Sequence, residues 1–464
     1  YMAGAEYHIG SESKDAYNEH DAPKVPDNIR VGNTLLFKSI DRGHPVEFKT
    51  PEWARKFTEE DLKNRSHGDV KPTWYYDTNS SDSDVNNAGS TGSDGKKPFN
   101  TFGLDYGYWW IELPGHKEDI IEEYEELRDQ LVGCVYGVWD HLKNAGNHGA
   151  QNYDLQWVGM LPGVRESRRL MGGYVLNEND ILTNRVFPDA VAYGGWPVDN
   201  HAPRGLEDKD VAPSLIHHLP GFYTIPYRSY YSKNISNLFM AGRDISCSRL
   251  AMASTRIIGT CALGGQCVGT AAAMCSKMGL EPRQLAPFVP QLQQQLLKDD
   301  VFIPGYVNQD EKDLARKATV TATSWQGDDT PEKVIDGVSR HYEGVRHSWL
   351  SQGVEQTLTL SWADKQELSQ LRLTFCSDFH YPLRVTMAPL RQAQQRPGVP
   401  AELVKDYTLR LFDGQQVVYQ REIKRNIQRL NVLDFPTVRC DRAELQFHTT
   451  NGSPDVEIFE VRAY

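Results

Sequence analysis

The residues best suited to chemistry fall in two groups, and the first is Gly242-Arg243-Asp244 followed ten positions later by Ser254-Thr255-Arg256. An apolar run, Asn237 to Met240, leads into the first triplet, and Gly259, Gly264, Gly265 and Gly269 follow the second. Read locally, this is a strand, a tight turn and a helix of small residues. Glycine permits the close backbone approach that a pyrophosphate requires, and a helix N-terminus supplies amide donors and partial positive charge. Asp244 is placed to accept hydrogen bonds from sugar or ribityl hydroxyls. Arg256 would add full positive charge where a reduced flavin ring accumulates electrons. A tightly packed α/β core accounts for the same spacing equally well. No G-x-G-x-x-G occurs in the 464 residues.

The second group is substrate-like in character. Arg165, Glu166, Ser167, Arg168 and Arg169 are consecutive, and an ion pair to Glu166 is the favoured use of one arginine. An arginine left over, Arg165 foremost, suits an oxygen-rich substrate or a developing oxyanion. Tyr193, Trp196, Asp199 and His201 surround a Gly-Gly turn. Ring faces beside polar groups fit a sugar, although packing is the commoner use of such aromatics. Oxidation of an alcohol needs a proton acceptor, for which His201 and His8 qualify by residue type alone. No spacing places a Ser–His–Asp or Cys–His set or a paired-carboxylate motif.

Composition narrows the classes. A net charge of −12, without a basic stripe, argues against nucleic-acid binding. The seven cysteines are few and odd in number, so buried free thiols are expected, with neither zinc spacing nor a disulfide framework. The longest apolar stretch is interrupted by Arg256 and Gln266 and rich in small residues, so no membrane span is expected. The chain opens "YMAGAEYHIG", mid-pattern, so the lack of a leader there says nothing of compartment.

Several elements must position these groups. Asn33–Ser39 and Tyr106–Leu113 have strand-like content, and the polar stretch 79–97 between them reads as an exposed loop. In the segment 117–144, Ile120, Tyr124, Leu127, Leu131, Cys134, Val138 and Leu142 recur at helical spacing behind an acidic start. After about Lys312 the pattern changes to short alternating runs with turns at Asp413-Gly414 and Asn451-Gly452, which predicts an all-β sandwich.

Several stretches resemble the bacterial FAD-dependent oxidoreductase family related to two-domain flavoproteins of the glutathione-reductase type. They are "AGAEYHIGSES", "YWWIEL", "VYGVWDHLKN", "WVGMLPGVRESRRLMGGYVLNENDI", "FPDAVAYGGWPVD" and "YTIPYRSYYSKNISNLFMAGRD", with the small-residue segment through Met274. The resemblance covers roughly residues 1–290. It implies an α+β or α/β domain that is an incomplete FAD-binding flavoprotein unit with a mixed-sheet substrate region. The pyrophosphate-holding βαβ unit would lie upstream or on another chain. Gly242, Arg243, Asp244, Ser254, Thr255 and Arg256 would then stand near the flavin, and His201, Arg165 and Tyr193 would serve the chemistry, with no metal. The C-terminal part resembles discoidin-like, galactose-binding-like β-sandwich modules, in which Asp336 and Trp349 shape a loop and fill the core.

The expected division is 1–295 for the oxidoreductase portion, 296–312 for a linker and 313–464 for the sandwich. The function expected is oxidation of a carbohydrate or other hydroxylated substrate by hydride transfer to FAD, in a periplasmic or secreted protein. The alternatives are a carbohydrate-binding protein on a degenerate flavoprotein scaffold and a polysaccharide-degrading lyase or hydrolase.

Overall fold

A computed structural model describes residues 1–68, 104–105, 107–114, 120, 122–145, 148–379, 381, 383, 385–387 and 392–464. The stretch 79–97 lies outside them. The chain divides into two compact units. The first comprises 1–189, 193–286 and 385–392, and the second comprises 190–192, 287–384 and 393–464.

The first unit is built around the helix Tyr124–Asn144. Its predicted stripe is the stripe it buries: Leu127, Leu131, Cys134, Val138 and Leu142 face inward, with Ile120 before them and Tyr124 half-buried. They pack with Phe37, Tyr108, Trp110, Leu113 and Trp139 into one core. Antiparallel pairs of short strands make up other parts of this unit. Asn33–Thr34 pairs with Glu112–Leu113, Phe37–Asp41 with Tyr153–Val158, and Val198–His201 with Ser214–His217. The strand-like run at Asn33 thus divides into two pieces with different partners.

The Asn237–Met240 stretch differs from its sequence expectation. It forms no strand and is joined by an isolated bridge between Phe239 and Tyr231. A strand exists only where a neighbour continues the ladder, and apolar content alone cannot supply one. Gly242–Asp244 is a single 3-10 turn. The helix expected near Ser254 is two helices, Arg249–Thr255 and Ile258–Met278.

Ser248 caps the first of these, accepting from the Ala251 amide at 3.1 Å while donating to the buried carboxylate of Glu19. The Glu178 amide also donates to Glu19, at 2.8 Å. Burial pushes the Glu19 carboxyl up to about 7 although these hydrogen bonds oppose it. A raised native value favours the folded state fully below the ordinary carboxyl value of 4.5, and that contribution is lost as pH rises through about 7. Glu19→Gln is therefore expected to flatten stability between about pH 5 and 7. At pH 8 it should exceed the parent by on the order of 2–3 kcal/mol, read from urea unfolding at several pH values.

The second helix, Ile258–Met278, buries only the stripe Gly264, Cys267, Ala271 and Cys275. Gly264 allows the Tyr230 ring to lie on it, since an added Cβ would stand 2.7 Å from that ring. Around Gly259, Gly265 and Gly269 there is open space. By length and composition this helix could cross a membrane. Arg256 precedes it, so the interruption expected from that residue falls outside the helix.

In the second unit, two long strands organise a seven-stranded β structure, Gln356–Phe375 and Leu430–Thr450. Two separate runs in the sequence, "QTLTLSWA" and "SQLRLTFCS", are one strand with a register shift between Ser361 and Gln366. Its first half pairs with Thr319–Ala322 and the end of Leu430–Thr450, beyond which lie Val404–Asp413 and Gln416–Ile423. Its second half pairs with the start of Leu430–Thr450 and with Glu457–Ala463, which carries Trp349–Leu350. The two layers enclose one core that includes Trp349, Leu360, Leu373, Tyr407, Leu445, Phe447 and Val461. Trp349 fills that core and donates its indole N–H to Ser324 O at 2.9 Å, and Gly337 turns with φ +87. All seven cysteines are free, and Cys261 alone is not fully buried.

Candidate active site

The first unit holds a chain of buried charges. Glu112, on the strand Glu112–Leu113, lies 2.8 Å from His201 Nδ1 and 3.2 Å from Arg165. Arg165 also donates to Thr34 Oγ1 at 2.5 Å and to Gly32 O at 3.2 Å. His201 ends the strand Val198–His201, and its Nε2 faces Asp199 at 3.3 Å. Asp199 in turn receives Arg256 at 3.1 Å and the Ser214 hydroxyl. The Trp109 ring stands edge-on to His201 at 4.9 Å. Strand pairing fixes the two carboxylates and His201, and Arg256 caps the C-terminus of the helix Arg249–Thr255.

Burial disfavours ionised Glu112, but Arg165 and His201 outweigh it and hold the carboxyl below its ordinary range. Burial likewise opposes ionisation of Asp199. Its hydrogen bond to His201 and the charges of His201 and Arg256 prevail, and hold it far below that range. Asp199 is the more open of the two carboxylates, with its side chain 21% exposed against 3% for Glu112. Glu112 at Nδ1 and Asp199 at Nε2 place a carboxylate acceptor at each ring nitrogen of His201. Such an arrangement can take a proton from a hydroxyl beside cations that steady the oxygen.

A second buried set adjoins the first in sequence. Arg169, fully buried, pairs with Glu166 and, at 2.9 Å, with Glu12, and donates to Gly10 O and Cys247 O. The expected Arg–Glu166 pair is therefore present, and Arg169 is its arginine.

The structure gathers His201, Asp199, Arg165 and Arg256 and leaves the other predicted residues elsewhere. Tyr193 is half-exposed and meets the Phe222 ring at 5.8 Å. Ser254 is buried, donating to Trp196 O at 2.6 Å and accepting from Tyr223 Oη at 2.7 Å. Thr255 is buried against Cys247. Gly242 has φ +80 and nothing within 4 Å of a built Cβ, so the turn is open to an approaching group. Asp244 is exposed and accepts from Ser167 Oγ at 3.4 Å, while Arg243 donates to Val164 O. The open turn and the bare small-residue face beyond it are compatible with a flat ring and a phosphate. Ser254 and Thr255 spend their hydroxyls within the protein.

Sequence reading missed Glu112 and Thr34. Glu112 sits inside an aromatic run that reads as core, and its partners lie 89 and 53 residues away in the chain. It also missed a grouping of Glu59, His67, His141 and His148, whose ligand atoms all lie within 4.8 Å of one another.

Residues 1–296 match the family described as FAD dependent oxidoreductase. The chain belongs to the FAD-dependent oxidoreductase family. In this oxidoreductase, residues 313–375 also match a family described only as a domain of unknown function. No curated protein shows significant similarity to it. Among solved structures, it is similar to a Streptococcus pneumoniae fucose-binding module at 11% identity, covering 34% of this chain and 99% of that one with a TM-score of 0.26. It is also similar to the family 32 carbohydrate-binding module of C. perfringens NanJ in complex with galactose, at 14% identity, covering 32% and 94% with a TM-score of 0.24. The lectin domain of lectinolysin in complex with Lewis B antigen gives 11%, 33%, 96% and 0.26. These carbohydrate-binding modules match the C-terminal β-rich part of the oxidoreductase.

Proposed function

We propose that this oxidoreductase uses FAD to oxidise a carbohydrate or other hydroxylated substrate. The observation that carries the reading is the Arg165–Glu112–His201–Asp199–Arg256 cluster inside the family-matched region. When bound, FAD would supply the hydride acceptor for the substrate carbon. Gly242, Arg243 and Asp244 would hold the cofactor at the open turn, and Arg256 would contribute its charge nearby. Ser254 and Thr255 contribute position rather than hydroxyls, because their side chains anchor the helix from within.

His201 Nε2 receives the hydroxyl proton as the substrate hydroxyl takes the place of Asp199 beside it, with Glu112 orienting the ring at Nδ1. Arg165 steadies the substrate oxygen as that proton leaves, and the Tyr193 ring lines the sugar's approach. The bare face of Ile258–Met278 packs against a glycine-rich dinucleotide-binding segment rather than lipid, since small residues suit close backbone packing. The division into 1–295, 296–312 and 313–464, and a periplasmic or secreted setting where such substrates are met, belong to the same proposal.

The test is spectroscopic. The full natural polypeptide is expected to purify with stoichiometric FAD and to lose its oxidised-flavin absorbance under anaerobic addition of a sugar or polyol from a panel. A folded protein that takes up no FAD, yet binds glycans, would replace this reading with that of a carbohydrate-binding protein.

A further inference from the structure

We infer that Glu59, His67, His141 and His148 form a zinc site that ties three segments of the first unit together. The three imidazoles are buried side by side, with ring centroids 4.7, 5.0 and 5.3 Å apart. Glu59 reaches all three: its carboxylate lies 2.9 Å from His148 Nε2, 3.3 Å from His141 Nε2 and 3.5 Å from His67 Nε2. Ligands roughly 2.0–2.1 Å from one tetrahedral zinc stand about 3.3 Å from each other. The observed separations are those of ligands to one ion. Three imidazoles and a carboxylate complete a four-coordinate set of the kind zinc favours.

The orientation of the rings agrees. His67 Nδ1 donates to Arg65 O at 2.7 Å, which fixes its tautomer and aims the Nε2 lone pair at the cluster. Neither ring nitrogen of buried His141 has a hydrogen-bond partner. A buried ring nitrogen without a hydrogen bond is costly, and an ion at the centre of the four ligand atoms removes that cost for His141 Nε2 and for His67 Nε2 together.

Each ligand is also held from outside the cluster. Thr58 and Asp61 form a capping box around the turn that starts at Glu59. The segment before it lies on the long helix at Gly133 and Gly137, where an added Cβ on Gly137 would stand 1.8 Å from Arg55 O. The His67 segment is fixed by buried Arg65, which donates to Gly205 O, Asp208 O and Val211 O, and by Trp110 Nε1 donating to Ser66 O. His141 lies in the last turn of the helix Tyr124–Asn144 and His148 follows it. The site is closed by its four side chains, so its role is structural. Glu59, the one exposed ligand, marks where the ion enters.

The inference stands apart from the flavin reading and is tested without activity. The full natural chain, grown with zinc and freed of loose metal, is expected to carry stoichiometric zinc by mass spectrometry. Replacement by cobalt should give the visible absorption of a tetrahedral site. Glu59→Gln, which changes an exposed side chain, should lower zinc affinity at least about tenfold with the circular dichroism spectrum unchanged. His141→Ala should abolish stoichiometric retention. Parent protein that is folded by circular dichroism but neither retains zinc nor absorbs with cobalt would overturn the inference. Cobalt binding left intact in both Glu59→Gln and His141→Ala would overturn it equally.

Discussion

Arg169→Met is expected to destabilise the first unit by about 3–5 kcal/mol, lowering its thermal midpoint by roughly 10 °C. Arg169 is buried between Glu166 and Glu12, and both carboxylates are buried with it. Backbone donors remain to each: Val31 N to Glu166 and Arg249 N to Glu12, both at 2.9 Å. They cannot neutralise two charges, and Arg249 reaches only within 3.8 Å of Glu166. Lysine at 169 should recover little, because a point charge cannot bridge two acids and two carbonyls in the plane of a guanidinium. Thermal unfolding followed by circular dichroism decides this. A variant within 1 kcal/mol of the parent would show that water reaches the pair, and that the burial described here is not what holds it.

The second large effect concerns turnover. Asp199→Asn is expected to cut kcat about a hundredfold to ten-thousandfold while the bound flavin spectrum stays unchanged. Asp199 faces His201 Nε2 and anchors Arg256, and an amide carries no charge to hold either cation-bearing partner in place. Since its neighbours hold it far below the ordinary carboxylate range, it stays ionised across neutral pH, and no activity limb near pH 4 should belong to it. The measurement is flavin reduction by substrate in a single-turnover mix, as a function of pH. Unchanged turnover would remove Asp199 and His201 from the chemistry together.

The parts legible in sequence were those encoded by local periodicity. The stripe from Ile120 to Leu142 announced a buried helix, and alternation after Lys312 announced the sandwich, because both patterns lie within one element. The charge cluster was only half visible. His201 and Arg165 stood out by type, but Glu112 acts on them across long stretches of chain, and nothing local to an aromatic strand predicts a buried acid there. Asn237–Met240 failed as a strand for the same reason, since pairing is a property of two segments. The histidine grouping was silent because its members come from three separate segments, with no recognisable spacing between His67, His141 and His148.

The paired long strands have a consequence for how the C-terminal unit comes apart. Gln356–Phe375 and Leu430–Thr450 each pass through both layers, hydrogen-bonded to one another nearly end to end. Neither layer can therefore be peeled away while its neighbour keeps its ladder intact. Loss of order at one rim must travel along the shared pair, so this unit opens as one cooperative block, and a proteolytic nick in either ribbon weakens both faces at once.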